Sequence, residues 1–126
     1  MNSNLIDQLV EPFMQCRRPM IVHNGEPRTS VDHTRSAIQK DFGMLHRDEV
    51  DVDKCSMIIC DSSLMSDEAI LYFLPSLIRH IANQEVFTGE ILAHRLGDLR
   101  IAMNIEQNNA VRSIIDIIHE IENELE

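Results

Sequence analysis

The chain has 126 residues, with 21 acidic residues against 11 Lys plus Arg, and a net charge of −10. That length suits one domain with its own core, and the 44% of apolar residues excludes wholesale disorder. The strong negative charge argues against nucleic acid and anionic membrane as partners, since both are themselves negative.

The first element reads as a helix. Asn2 or Asn4 can cap it, and Leu5, Ile6, Leu9, Val10 and Phe13 recur at the spacing of one buried stripe. Pro12 splits or kinks its end. The stretch from Arg17 to Pro27 holds two prolines and an Asn-Gly pair, which makes it a connector with at most a brief strand at 20–23. A second helix is expected over 31–42, with Ser30 or Asp32 as cap, Ile38 and Phe42 inward, and Gly43 as a left-handed stop. Residues 44–61 are ambiguous. The run Met57-Ile58-Ile59-Cys60 reads equally as a short buried strand, a helical turn or irregular chain.

Ser66 followed by Asp67 and Glu68 is a cap with two acids in the first turn, opening a helix over 67–82. Ile70, Leu71, Phe73, Leu74, Leu77, Ile78 and Ile81 cover more than half its circumference, the pattern of a central helix. Pro75 lies inside it and predicts a kink near Leu71. Thr88, Ile91 and Leu92 open another helix ending near Gly97. Asn104 with Gln107 forms a pattern similar to a capping box. The helix that follows carries Ala110, Val111, Ile114, Ile115, Ile118, Ile121 and Leu125 as its stripe. The expected architecture is all-α, one domain over 1–126 with about five helices. Within it, 1–30 supplies the first helix and connector and 31–126 the main helical body, with at most one short strand near 20–23 or 57–60.

The run Ser66-Asp67-Glu68-Ala69-Ile70-Leu71-Tyr72-Phe73-Leu74-Pro75 resembles an E-A-x-x-Y-[YF]-L-P signature in a family of small bacterial proteins of unknown function. Glu106-Gln107-Asn108-Asn109-Ala110-Val111 is a second, weaker match. The resemblance implies a helix over 66–82 and carries no catalytic or metal residue with it.

Cys16, Cys55 and Cys60 are three in number and form no C-x-x-C, unlike a secreted disulfide scaffold. The N-terminus lacks a basic leader, and the longest apolar run, Ala69 to Leu74, falls far short of the roughly 20 residues that span a bilayer. A cytoplasmic protein is expected. His23 with His33, Cys55 with Cys60, and His80 with His94 lack the spacing of a structural zinc site. Glu49, Asp51 and Asp53 superficially resemble a calcium loop, but Lys54 stands where glycine belongs and Cys60 where the final Glu belongs. No metal and no cofactor are expected. Nucleophilic catalysis would pair Cys16, Cys55 or Cys60 with His46 or His80, against the commoner role of cysteine as core filler. Glu85 with Glu90, or Asp67 with Glu68, offers no context that separates an acid from a base.

Charge is uneven along the chain. Residues 1–40 carry +1, residues 41–68 carry −6, residues 69–103 are neutral and residues 104–126 carry −5. Acids in the last turns of the final helix oppose its dipole, so they are unfavourable for that helix in isolation. The leading expectation is therefore a small acidic binding protein, like an immunity protein, that neutralises a basic partner such as a toxin. Its contacts are expected at Asp48, Glu49, Asp51, Asp53, Glu120, Glu122 and Glu124. The alternatives are a structural helical module, dimerising through the apolar face of the 67–82 helix, and a small enzyme using a cysteine or a carboxylate pair.

Overall fold

The computed structural model describes residues 3–25 and 32–125. Six α-helices follow one another: α1 (Ser3–Val10), α2 (Asp32–Phe42), α3 (Val52–Cys60), α4 (Asp67–Ala82), α5 (Gly89–Gly97) and α6 (Ile105–Leu125). Short 3₁₀ turns at Glu11–Phe13, Arg47–Glu49 and Ser62–Leu64 join some of them. No sheet forms among the described residues, and the extended run near 20–23 contributes one antiparallel bridge, His23 to Met65. Asn2, Ser30 and Glu126 lie outside the described residues, as does the side chain of Leu125.

Helix starts follow local chemistry. The Ser66 hydroxyl accepts the Ala69 N–H at 3.1 Å and begins α4. Asn104 and Gln107 close a reciprocal box, with Gln107 N–H on Asn104 Oδ1 at 2.8 Å and Asn104 N–H on Gln107 Oε1 at 3.1 Å. Pro12 ends α1 by opening the 3₁₀ turn Glu11–Phe13.

One open reading resolves and two expectations are corrected. Residues 57–60 belong to α3, because Asp51 Oδ1 caps it through Lys54 N–H at 2.8 Å and Cys55, Ile58 and Ile59 turn inward at helical spacing. Met57 and Cys60 face outward, so the contiguous apolar run is not a buried strand. Gly43 does not take the left-handed conformation; Gln84 does, with φ 58°. There the Gln84 and Glu85 N–H groups return to the Ile81 and His80 carbonyls and end α4. On the helix stripes, Leu5 is exposed, and Ile117 rather than Ile115 is buried in α6.

α4 is the axis of the molecule. Every residue from Ala69 to Ile78 is buried, and the helix runs through Pro75 without interruption. It touches α1, α3, α6 and the first two 3₁₀ turns, while α5 lies along α6. One contiguous core results. Each large aliphatic side chain buried there contributes about 1.5–3 kcal/mol. The apolar circumference of α4 is thus covered by the chain's own elements.

A charged residue anchors this axis. Arg47 is only 5% exposed. Its guanidinium donates to the Phe13 carbonyl at 3.1 Å and the Cys16 carbonyl at 2.5 Å, so it ties the end of the first helical segment to the 3₁₀ turn at 47. Its own carbonyl accepts the Ser76 hydroxyl at 2.6 Å. Among the described residues, no helix is long and apolar enough to cross a membrane.

Candidate partner-binding surface

The mid-chain acids are placed by capping. His46 caps the turn Arg47–Glu49: its Nδ1 accepts the Asp48 N–H at 3.1 Å, and Glu49 Oε1 accepts the His46 N–H at 2.9 Å. Asp51 caps α3, and Asp53 stands exposed in its first turn. Glu49 and Asp51 each use one oxygen in a cap and leave the rest of the carboxylate in solvent, because both residues are exposed.

The terminal acids are set by α6. Glu120 and Glu124 are exposed. Glu122 is half-buried, and its Oε1 would stand 2.7 Å from a Cβ placed on Gly89. Gly89 opens α5, whose cap residue Thr88 makes no side-chain cap bond, so the Glu122 carboxylate stands at the positive end of that helix. This packing against α5 also explains an acid that opposes the dipole of its own helix.

Both acidic segments attach to one end of α4. His80 Nε2 lies 2.8 Å from the Val50 carbonyl, between Glu49 and Asp51 in the chain. The neighbouring Ile81 side chain meets the Gly89 position at 3.6 Å, beside Ile118 and Glu122. Glu85 adds to this end, with Oε1 3.3 Å from His80 Nδ1. Of the seven expected contact residues, Asp48 alone has a described basic side chain within 4 Å, the His46 ring at 3.5 Å, whose Nδ1 already accepts the Asp48 N–H and so does not neutralise the carboxylate. Glu49, Asp51, Asp53, Glu120, Glu122 and Glu124 pair with no described base.

The other candidates separate cleanly. Asp67 accepts from Arg95 at 2.6 Å, Arg100 N–H at 2.8 Å and Ile101 N–H at 3.1 Å. Burial raises its pKa, but these bonds and the Arg95 charge outweigh it and hold the carboxyl below its usual value. Asp67 therefore clasps the start of α4 to α5 and the chain after it, while Glu68 is exposed. This role escaped sequence reading, because its partners lie about thirty residues downstream.

Burial, with a smaller contribution from Glu85, pushes the Cys55 thiol up to about 12. The Cys16 thiol is also raised by burial, with Arg47 opposing. Cys60 is exposed. The hydrogen-bond contacts of the Cys16 and Cys55 sulfurs are to Gln107 and to the Leu77 carbonyl, not to an imidazole. Among the described residues, no group of three or more His, Cys, Asp or Glu could hold a metal ion. Comparison with protein-family models, curated proteins and solved structures returned no match.

Proposed function

We propose that the protein is a cytoplasmic, non-catalytic binding protein that engages a basic protein partner through the acidic end of α4, as an immunity protein engages a toxin. The observation that carries this reading is the attachment of both acidic segments to consecutive residues, His80 and Ile81, with six carboxylates left without a described base. Unneutralised charge of one sign concentrated at one end steers an oppositely charged partner and speeds its association. The cysteine chemistry offers less: a thiol pushed up to about 12, as for Cys55, stays protonated and is a poor nucleophile.

Association with a basic protein encoded beside this chain's gene, followed by stopped flow at low and high salt, tests the reading. The triple variant Asp53→Asn, Glu120→Gln, Glu124→Gln is expected to slow association about tenfold at low salt and to flatten its salt dependence. Absence of any salt-sensitive association would remove the reading.

A further inference from the structure

A cleft of about 520 Å³ opens between the Met14–Arg18 segment and the turn at His46–Asp48, and its walls carry Arg17, Arg18, Arg47, His46 and Tyr72. Three arginines thus face one cavity in a chain that holds 11 Lys plus Arg against 21 acids. The only acid on the cleft is Asp48, which lies 3.5 Å from the His46 ring.

The arginines are not neutralised by the protein. Arg47 is 5% exposed, yet the acceptors on its guanidinium are the Phe13 and Cys16 carbonyls, the Met14 sulfur and the Tyr72 ring face. Carbonyls at the end of a helical segment offset part of a positive charge, but a buried cation ordinarily has a carboxylate partner. Arg18 gives one N–H to the Leu45 carbonyl at 3.0 Å and has further donors to offer. Arg17 is exposed, and no described carboxylate pairs with it. The cleft therefore presents a fork of guanidinium donors over a buried positive charge, and its one lining acid, Asp48, pairs with none of the three arginines.

We propose that this cleft binds a phosphate group, either free or as the head of a small phosphomonoester. Guanidinium groups match phosphate oxygens bidentately, and several of them around one volume suit a compact dianion better than a single carboxylate. The volume fits a ligand of metabolite size. A long polyanion is disfavoured, because beyond the arginines it would meet the negative surface of the remaining chain. Tyr72 and His46 complete the wall, their rings edge-to-face at 6.2 Å, and hold its shape. The site adjoins the acidic segment at Asp48 but rests on the arginines and not on the partner reading, so its failure would leave that reading standing.

The test is an NMR titration of the full chain with inorganic phosphate and, separately, glycerol 3-phosphate, at constant ionic strength set with chloride. The expected result is a saturable shift of the Met14–Arg18 and His46–Asp48 amides. Tighter binding of the ester would identify an organic phosphate as the source, and equal binding would identify free phosphate. The double variant Arg17→Gln, Arg18→Gln is expected to weaken binding at least about tenfold. These side chains make a single described hydrogen bond, so an unchanged spectrum elsewhere verifies the fold. Two results would overturn the proposal: no saturable shift at millimolar phosphate, or equal binding by the double variant and the parent.

Discussion

The Arg47 guanidinium lies 4.4 Å from the centre of the Tyr72 ring, and the Tyr72 hydroxyl accepts the Arg47 backbone N–H at 3.1 Å. The two residues therefore meet twice, once through charge and π-face and once through a buried hydrogen bond. Tyr72→Phe keeps the ring and removes only the second contact. Its N–H partner is then left without an acceptor, and the expected loss is about 1–3 kcal/mol. Urea unfolding of the two proteins measures it, and a loss near zero would show that the hydroxyl bond is dispensable.

Asp67 is expected to make stability depend on acid. Its folded pKa lies below the ordinary 3.8, so its contribution is fully present above that value and disappears as pH falls through the folded pKa. Asp67→Asn is expected to cost about 2 kcal/mol at neutral pH, because Arg95 then lacks its carboxylate. The gap between parent and variant should narrow as pH falls from 3.8 through the lower folded pKa, where the parent's carboxylate is protonated as well. A gap that stays constant through that range would mean the carboxylate is not what holds the clasp.

Gln84 occupies the left-handed position that closes α4, with φ 58°. A side chain there carries a steric cost that glycine lacks. Gln84→Gly is expected to raise stability by about 0.5–1 kcal/mol, read as a higher thermal midpoint. Its exposure leaves little packing to lose.

The three thiols should react in a fixed order. Cys60 is exposed and is expected to be modified first by a thiol reagent in the native protein. Cys16 is half-buried and should follow more slowly. Cys55 is fully buried, with its thiol pushed up to about 12, and should react only on unfolding. Mass-spectrometric mapping of the labelled sites during a time course gives the order.

Much of the helical pattern was legible because its causes are local. Ser66 is three residues from the N–H it caps, and Asn104 from Gln107. The breadth of the apolar surface from Ile70 to Ile81 already marked α4 as the helix to be buried. The first half was harder to read. In α3 the signal is an inward triad, Cys55, Ile58 and Ile59, masked by the outward Met57 and Cys60 that make the run look continuous. Gly43 attracted the helix stop because glycine tolerates positive φ, yet the closing bonds at Gln84 impose that conformation on a less suited residue.

Sequence by itself therefore determined the helix starts, the central helix and the two acidic stretches, all of which rest on residues within a few positions of one another. Tertiary structure alone decided what those pieces share. It attached Val50 to His80 and packed Glu122 against Gly89 beside Ile81, so one residue of each acidic stretch is tied to neighbouring positions of α4. It also buried Arg47, which the sequence shows only as one base beside Asp48, among Phe13, Cys16, Tyr72 and Ser76. Those partners lie 25 to 34 residues away, and no spacing rule reaches that far. A charged side chain is buried only where the folded chain supplies acceptors for it, and their positions exist only once the helices have packed.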